Sequence, residues 1–591
     1  MREWLNDAVF YEIYPQSFYD TNSDGIGDLN GIIEKLDYIK ELGCDAIWIN
    51  PCFDSPFSDA GYDVRDYKKI AERYGTNDDA KRLFDEVHKR NMHVFLDLVP
   101  GHTSIEHPWF KESCKADRNE YSDRYVWTNS MFENPTPLES LRGISEREGS
   151  IGVNFFTFQP ALNYGFYEQK ESWQQGMEDE GPKASLEAMK DVMRFWMDMG
   201  CDGFRVDMAH SMIKNDPESK GTILFWQKVR KFLEEEYPHI CMVSEWGEPD
   251  KSIAGGFHMD FVLHFGPSHY GDLFREGDPY FSRNGKGNIK AFVDKYLQLY
   301  DETDGRGFIC IPSGNHDMER LKWKLDDEEI KIAFAFLLSM PGVPFIYYGD
   351  EIGMRYQGEL KSKEGGYFRT GARTPMQWNR EKNCGFSDGD EASLYLPVDK
   401  NEDFNDVLSQ MNSETSIYSE VKKLIAVRRE HKALHNKAFI KFEYVKENAY
   451  PVAYIREEVN ENGDDKATPI GASSSTCCNK LDSGIDEPEA RDSVGVKDLV
   501  SVRDAVSVKE SACVKDSVSV GDAVSVGDAV STRDSASAGE RILVIINPSS
   551  EKVSFETSEK LGELVYINGE VPTQSGNIVT VPATCAAFFM I

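Results

Sequence analysis

The ten residues CDGFRVDMAH at Cys201–His210 contain the segment that decides the fold. Within them, Gly203–Asp207 is a short, mostly apolar run closed by an aspartate, which is the pattern of a buried strand ending at a polar edge. An amphipathic helical pattern precedes it at Ala184–Met199, and another follows at Gly221–Tyr237 before the apolar run Ile240–Glu245. A strand, a helix and a second strand in this order predict a βαβ unit with parallel strands.

The same alternation extends over most of the chain. The strand candidates are Ala8–Tyr14, Ala46–Asn50, Met92–Val99, Gly203–Asp207, Ile240–Glu245, His258–Phe265, Phe308–Pro312 and Pro344–Tyr348. The helical patterns between and after them are Leu29–Leu42, Asp79–Asn91, Ala184–Met199, Gly221–Tyr237, a weaker one near Lys251, Ile289–Tyr300, Asp327–Ser339 and Glu414–Glu430. Eight strand–helix repeats predict an α/β fold, a (β/α)8 TIM barrel, whose active site lies at the C-terminal ends of the strands.

Two regions depart from this alternation. The stretch after the third strand is too long for a loop, so we predict a barrel of residues 1–102 and 181–436 with a small inserted domain at 103–180. After the last helix the pattern changes to short β runs. These predict a C-terminal antiparallel β-sandwich formed by residues 437–455 and 541–591.

Residues 456–540 interrupt the predicted sandwich and contain no Phe, Trp or Tyr. A six-residue unit recurs in this segment, as VKDLVS from Val496, VRDAVS from Val502 and VGDAVS from Val520 and Val526. A segment this poor in large apolar side chains favours a disordered, low-complexity insert. The alternative is a short parallel β-helix, because hexapeptide repeats also form that structure.

The overall charge argues against two classes of partner. The 591 residues contain 66 Lys and Arg against 101 Asp and Glu, a formal net charge of -35, which repels nucleic acid and anionic lipid surfaces. No apolar run is long enough for a membrane span, and the first residues lack the apolar core of a signal peptide. The 11 Cys form no disulfide or zinc pattern. We therefore predict a cytoplasmic protein and leave its oligomeric state open.

Acidic residues close several predicted strands. Asp97, Asp207 and Glu245 come at the ends of the third, fourth and fifth strands, and Asp317 follows the seventh. Hydrolysis of a glycosidic bond needs one carboxylic acid that protonates the leaving oxygen and one carboxylate on the other face of the sugar. Four acids at one rim of a barrel therefore indicate this chemistry.

Asp207 and Glu245 are predicted to form the reacting pair because their strands are neighbours. The adjacent Arg205 is expected to lower the pKa of Asp207 and keep it ionised. Like charges and the neighbouring Trp246 are expected to raise the pKa of Glu245 and keep it protonated. Glu248, three residues later in EWGEP, is a rival acid, but Glu245 closes the strand.

These segments resemble the signature regions of the α-amylase family, glycoside hydrolase family 13. The resemblance implies that Asp207 is the nucleophile, Glu245 the general acid/base and Asp317 a carboxylate that stabilises the transition state through sugar hydroxyls. Three further side chains would complete the first sugar subsite: His102, Arg205 and His316.

Two motifs resemble the exo-acting branch that contains oligo-1,6-glucosidase, α-glucosidase and trehalose synthase. They are GYD at Gly61–Asp63 and ARTPMQW at Ala372–Trp378. The resemblance implies that Asp63 and Arg373 hold hydroxyls of the terminal glucose and that Tyr62 stacks on its ring. A charged pair that closes the pocket predicts the release of one sugar at a time.

The loop after the first strand carries oxygen donors at alternating positions, which suits a hard cation. The resemblance agrees and implies a structural Ca²⁺ or Mg²⁺ held by Asp20, Asn22, Asp24, the carbonyl of Ile26 and Asp28. The alternative is a metal-free loop of Asx turns. No organic cofactor is expected.

Linkage preference is not decided by these motifs, because Met208 follows the nucleophile where the branch usually has Val, Ala or Thr. We predict a retaining α-glucosidase that acts on short α-glucosides such as maltose, isomaltose and maltodextrins through a covalent glucosyl-enzyme, with α-1,4 links favoured over α-1,6 links. Two alternatives remain. One is a trehalose synthase-like isomerase or transglucosidase, and the other is a catalytically inactive binding subunit.

Overall fold

The computed structural model describes residues 2–264, 267–286, 289–459 and 539–591. Its largest sheet has eight parallel strands: β1 (Phe10–Ile13), β2 (Ala46–Ile49), β3 (His93–Leu98), β4 (Gly203–Val206), β5 (Cys241–Ser244), β6 (Met259–Phe261), β7 (Phe308–Cys310) and β8 (Phe345–Tyr347). They lie in the order β7-β6-β5-β4-β3-β2-β1-β8. A parallel bridge from Pro312 to Phe345 joins the two outer strands. The predicted (β/α)8 barrel is confirmed.

Each strand is followed by a helix. These are α1 (Leu29–Leu42), α2 (Asn77–Lys89), α3 (Glu180–Met199), α4 (Lys220–Glu236), α5 (Pro249–Ala254), α6 (Ile289–Thr303), α7 (Asp327–Leu337) and α8 (Ile417–Glu430). Helix α1 begins after Asp28, whose carboxylate accepts the Gly31 N–H, and ends at Gly43 in the left-handed conformation (φ 110). Such caps satisfy backbone groups that a helix leaves unpaired at its ends.

The alternation of side chains along the strands positions the polar residues. Phe10, Phe95 and Val243 belong to the apolar cluster that includes residues from all the barrel strands except β4. Side chains two residues apart in a strand share a face. Glu12 and Asp97 therefore point into the barrel one layer above Phe10 and Phe95, towards the C-terminal rim.

A long excursion separates β3 from α3. It contains a short helix, Pro108–Ser113, and an antiparallel pair of strands, Glu139–Leu141 and Ile151–Val153. Its return segment is joined to the barrel rim, because the Thr103 N–H donates to the Pro160 carbonyl at 3.3 Å. The predicted inserted domain thus lies directly beside the strand ends.

The C-terminal strands form two antiparallel sheets that share an apolar core. The strands are β9 (Phe439–Tyr444), β10 (Val452–Glu457), β11 (Arg541–Asn547), β12 (Val553–Glu556), β13 (Leu564–Asn568), β14 (Thr573–Ser575), β15 (Ile578–Val581) and β16 (Cys585–Met590). One sheet has the order β9-β10-β11-β16-β13 and the other β12-β15-β14. Sequence reasoning missed β14, which is short and polar, and β16, whose residues are nearly all buried and do not alternate.

The predicted insert begins too early. Arg456 and Glu457 lie in β10, where Glu457 pairs with Arg541, and the Glu458 N–H donates to the Glu540 carbonyl at 2.9 Å. The segment between β10 and β11 therefore begins and ends at two neighbouring antiparallel strands. Both interpretations of the hexapeptide repeats concern residues outside the described ranges. In the described part of the chain, no helix is long and apolar enough to cross a membrane.

Candidate active site

A cavity of about 450 Å³ opens at the C-terminal ends of the barrel strands. Its lining combines acids, histidines and aromatic rings: Asp59, Tyr62, His102, Phe155, Phe156, Asp207, Met208, His210, Glu245, His264, Asp317, Tyr367, Phe368 and Arg369. The predicted Asp207, Glu245 and Asp317 are brought together here, with Tyr62 and His102.

Arg205 holds three carboxylates at the base of this cavity. Its Nη1 lies 2.9 Å from both Asp97 Oδ1 and Asp207 Oδ1, and its Nη2 lies 2.9 Å from Glu245 Oε1. The guanidinium is almost fully buried. Strands β4 and β5 are paired with Val206 opposite Ser244, so Asp207 and Glu245 come next to each other at the strand ends.

One guanidinium does not neutralise three carboxylates. Burial and then the Glu245 carboxylate raise the pKa of Asp207 well above its usual value, while Arg205 opposes that shift. Burial also raises the pKa of Asp97 to about 6. The expectation that Arg205 would lower the pKa of Asp207 overall is therefore not supported, because burial and the Glu245 carboxylate outweigh the arginine. The arginine is shared among three carboxylates.

Glu245, rather than Glu248, faces the reacting region. Glu245 Oε2 accepts the Met208 N–H at 3.0 Å, and Met208 has a left-handed backbone (φ 41, ψ 44), which is costly for a residue with a side chain. Glu248 is exposed and pairs with Lys251 at 2.6 Å. Of the two acids, Glu245 lines the cavity and Glu248 does not.

Asp317 is surrounded by cations. Its Oδ1 accepts from Arg369 Nη1 at 2.9 Å and from Arg373 Nη2 at 2.8 Å. Burial alone would raise the pKa of Asp317, but these neighbours outweigh it and hold the pKa far below its usual value. Arg373 also donates to the His316 carbonyl at 2.8 Å and lies behind Asp317, whereas Arg369 reaches the cavity wall.

His316 is held between the cavity wall and a buried carboxyl group. Its Nε2 lies 2.5 Å from the Tyr62 hydroxyl, and its Nδ1 lies 2.8 Å from Glu12 Oε1 and 3.0 Å from Asn50 Nδ2. Its ring is stacked on that of Tyr62 at a centroid distance of 5.5 Å. Burial lowers the pKa of His316 and raises that of Glu12, so the charged form of each group is disfavoured.

His102 is supported from the inserted domain. Its Nδ1 lies 3.3 Å from Asn154 Nδ2, and Asn154 Oδ1 accepts from Lys214 at 3.3 Å. Burial lowers the pKa of His102 to about 3 and that of Lys214 to about 7. A Cβ at Gly101 would lie 2.7 Å from Asn154 Nδ2, so a larger residue before His102 would displace the Asn154 side chain.

The predicted sugar contact of Asp63 is not supported, because this carboxylate does not line the cavity. Its Oδ1 accepts from Ser55 Oγ and the Asp59 N–H at 3.0 Å, and its Oδ2 accepts the Ser58 N–H at 2.9 Å. Asp63 therefore stabilises its own loop. The cavity-facing carboxylate of this loop is Asp59, which lies 3.6 Å from Arg369.

Sequence reasoning also missed other residues of the site. Asp59 lies four positions before the predicted Asp63, and Arg369 lies four positions before the predicted Arg373. No local sequence pattern shows that the earlier residue of each pair faces the cavity. Glu12 was identifiable in principle, since a glutamate in an otherwise apolar strand signals a buried polar contact. The aromatic lining comes from two loops that are far apart in sequence.

The predicted cation loop is a series of Asx turns. Asp20, Asn22 and Asp24 each accept the N–H of the residue two positions later, at 3.0, 2.9 and 2.8 Å. Asp28 accepts from Thr21 and from the Gly31 N–H that begins α1. The donor set consists of oxygen atoms, which fits a hard cation. In the described ranges, no group of three or more His, Cys, Asp or Glu side chains is placed to hold a metal ion.

An eight-stranded barrel with paired carboxylates at its C-terminal rim defines the chain as a glycoside hydrolase. Residues 12–437 match the model of the α-amylase catalytic domain. The chain belongs to the α-amylase family, glycoside hydrolase family 13.

Curated relatives cover most of the chain. It is 32% identical over 519 residues to the trehalose synthase/amylase of Mycolicibacterium smegmatis, which covers 78% of this chain and 82% of that protein. It is 33% identical over 497 residues to the oligo-1,6-glucosidase of Parageobacillus thermoglucosidasius, which covers 73% of this chain and 84% of that enzyme. Relatives named trehalose synthase/amylase and oligo-1,6-glucosidase are thus similar to this chain at nearly the same identity.

Solved structures share the whole fold. The trehalose-6-phosphate hydrolase of Bacillus licheniformis superposes with a TM-score of 0.72 at 24% identity and covers 100% of both chains. An isomaltulose synthase variant from Erwinia rhapontici, in complex with glucose, gives a TM-score of 0.71 at 23% identity and covers 100% of this chain and 99% of that one.

Proposed function

We propose that the chain is a retaining α-glucosidase that releases terminal α-linked glucose from short oligosaccharides. The observation that carries the proposal is the position of Asp207 and Glu245 on adjacent strand ends, with one guanidinium bound to both. A close pair of carboxyl groups, one of which retains a proton, is what a double-displacement mechanism requires.

In the first step, a carboxylate oxygen of Asp207 bonds to the anomeric carbon as the glycosidic C–O bond breaks. Glu245 gives its proton to the departing oxygen. Glu245 then removes a proton from water, whose oxygen bonds to the same carbon and releases Asp207 with net retention. Arg205 supplies positive charge beside Asp207 throughout, so little reorganisation is needed as charge moves.

We propose that the inner end of the cavity binds one terminal glucose. Asp317 stays ionised and can accept hydrogen bonds from sugar hydroxyls, and His102 presents a ring to the cavity. In contrast to the expectation, His316 does not line the cavity but supports Tyr62 from behind through the Tyr62 hydroxyl. In place of Asp63, we assign Asp59 to the wall that the terminal glucose meets, with Arg369 next to it and Arg373 behind Asp317. A charged wall at this end favours release of one glucose at a time.

The function is tested by the products formed from maltose, isomaltose, sucrose, trehalose and longer maltodextrins. We expect glucose from maltose, faster release from α-1,4 than from α-1,6 links, and α-glucose as the first anomer seen by NMR. β-Glucose as the first anomer would contradict the retaining mechanism. Trehalose formed from maltose without much glucose would contradict hydrolysis.

That last outcome would identify the second candidate, a trehalose synthase-like isomerase. It is favoured by the relatives named trehalose synthase, which are as similar as the oligo-1,6-glucosidases. The same residues would cleave maltose, and the enzyme would return the glucosyl group to the released glucose before water reaches it.

We further propose that the loop at Asp20–Asp28 binds Ca²⁺ or Mg²⁺ as a structural ion that stiffens the link between β1 and α1. Addition of EDTA is expected to lower the melting temperature by about 2 °C, because a ligand bound at a hundred times its Kd contributes about 2.7 kcal/mol. Ca²⁺ should restore it. In Asp24→Ala the melting temperature should no longer depend on Ca²⁺. In Asp301→Asn, a change at an exposed helix end, the dependence on Ca²⁺ should remain. An unchanged melting curve would contradict the proposal.

We also propose that the enzyme acts in the cytoplasm, on short α-glucosides. Cys44, Cys201, Cys241 and Cys310 are buried and unpaired. Buried free thiols fit a reducing compartment.

A further inference from the structure

The buried glutamate Glu12 lies at one end of a chain of hydrogen bonds that reaches the cavity. It belongs to β1, its side chain is fully buried, and no step of the proposed reaction uses it. The chain runs from Glu12 Oε1 to His316 Nδ1 (2.8 Å), from His316 Nε2 to the Tyr62 hydroxyl (2.5 Å), and from that hydroxyl to Asp97 Oδ2 (3.1 Å). Each contact needs one hydrogen between its two atoms, so the positions of these hydrogens depend on one another.

The Tyr62 hydroxyl carries a single hydrogen, and it is directed at Asp97. Asp97 is paired with Arg205 at 2.9 Å, so its carboxylate accepts the hydrogen bond. Tyr62 then has no hydrogen for His316, and the 2.5 Å contact requires His316 Nε2 to be the donor. Asp317 favours the same direction, because its ionised Oδ2 lies 3.4 Å from Nε2 and would repel a lone pair there.

The other ring nitrogen of His316 must therefore accept. Burial, opposed by Asp317, lowers the pKa of His316 and disfavours a ring that carries hydrogens on both nitrogens. Asn50 Nδ2 lies 3.0 Å from Nδ1, and an amide donor there also favours a lone pair on Nδ1. The hydrogen in the 2.8 Å contact between Nδ1 and Glu12 Oε1 thus belongs to Glu12.

The surroundings of Glu12 favour the protonated acid. Burial raises the pKa of Glu12 well above its usual value, and Asn50 and Arg205 oppose that shift. The titratable and charged groups that face Glu12 come from four other parts of the barrel: Asp97 on β3, Arg205 on β4, His316 and Asp317 after β7, and Tyr347 on β8. Ionisation of Glu12 would therefore add a negative charge near two carboxylates in a dry site.

We propose that Glu12 is a positioning residue whose carboxyl hydrogen, donated to His316 Nδ1, fixes the tautomer of that ring and so directs the Tyr62 hydroxyl at Asp97. The proposal rests on the proposed function, because it concerns the same site. The Tyr62 hydrogen bond lowers the pKa of Asp97 and so stabilises its carboxylate. More of the Arg205 charge is then left for the reacting pair that Arg205 also binds.

Loss of the Glu12 proton to solvent would reverse this order. A carboxylate 2.8 Å from Nδ1 needs a donor, so the His316 hydrogen would move from Nε2 to Nδ1. Tyr62 would then turn its hydrogen to Nε2, and Asp97 would lose that hydrogen bond. The reaction should therefore weaken at alkaline pH for a reason that does not involve the acid Glu245.

The tautomer is read directly by 15N NMR of protein labelled in its histidines, with His316→Gln identifying the signals of this ring. At neutral pH we expect a protonated Nε2 and an unprotonated Nδ1 in the wild type. Glu12→Gln should show the same tautomer, because the glutamine amide supplies a permanent N–H at the same place. A hydrogen on Nδ1 of the wild type at neutral pH, with or without one on Nε2, would overturn the proposal.

The kinetic test follows kcat/KM for α-glucosyl fluoride against pH, because this substrate needs no proton from Glu245. The wild type should lose about three- to tenfold at alkaline pH as Glu12 ionises, the range for one hydrogen bond. Glu12→Gln should lack this alkaline loss and stay within about threefold of the wild type at neutral pH. Glu3→Gln, the same change at an exposed glutamate, should keep the wild-type profile. Coinciding alkaline limbs for the wild type and Glu12→Gln would overturn the proposal.

Tyr62→Phe separates a route through the hydroxyl from a general effect on the fold. In this background Glu12→Gln should no longer change the alkaline limb, because the group through which Glu12 acts is gone. If Glu12→Gln still extended the profile, the route through Tyr62 would be wrong. If the NMR result held and the wild type did not hydrolyse maltose, the hydrolase would be contradicted and the role of Glu12 would stand.

Discussion

Asp207→Asn is expected to lower kcat on maltose by at least about four orders of magnitude, as removal of a catalytic nucleophile does in other enzymes. The amide matches the carboxylate in shape and can still contact Arg205, but it cannot form the ester to the anomeric carbon. The fold should survive, because β4 and its pairing with β5 do not depend on the lost charge.

The measurement is the initial rate on maltose together with a melting curve. Burial raises the pKa of Asp207, so a charge at this position is unfavourable and its removal should leave the melting temperature the same or raise it. Asp301→Asn is the matched control for the charge change and should keep full activity. A rate above about one hundredth of the wild-type value would refute Asp207 as nucleophile.

Glu245→Gln is expected to lower kcat on maltose to a comparable extent, but the loss should depend on the leaving group of the substrate. Glutamine has no proton to give to the glycosidic oxygen, so cleavage of maltose should fall by about three orders of magnitude or more. α-Glucosyl fluoride needs no such proton, and its first step should be much less affected. The glucosyl-enzyme should then persist, because no base remains to activate water.

Azide is the probe for that second step. It attacks without base help, so adding it to Glu245→Gln with α-glucosyl fluoride should speed turnover and give α-glucosyl azide, the retained anomer. Glu248→Gln is the matched control, since Glu248 is exposed and paired with Lys251. If Glu248→Gln showed the loss and Glu245→Gln did not, the acid/base assignment would be reversed.

The alternation of apolar and amphipathic runs was sufficient to predict the barrel, because its strands are buried on both faces and its helices on one. The predicted strands at Gly203–Asp207 and Ile240–Glu245 agree with β4 and β5 to within a residue at each end. The missed β16 is buried at all but its last residue, and its pattern CAAFFM is also compatible with a helix. Its strand character comes from pairing with β11 and β13.

The site was predictable where a residue lies on a strand. Asp207 and Glu245 end adjacent strands, so their proximity follows from the fold class. Loop residues were not predictable in this way. Asp63 and Asp59 differ by four positions, and only the folded loop shows that the first turns inward to its own backbone while the second faces Arg369.

The sequence by itself therefore determined the barrel and the rim that carries the acids, since both follow from patterns along strands. The family was indicated by the resemblance of its motifs. Tertiary structure decided the direction in which the pKa of Asp207 shifts and which loop residues face the cavity. These depend on distances between groups far apart in the chain. Arg205 shows the reason, because its charge is divided among three carboxylates that only folding brings within 2.9 Å of it.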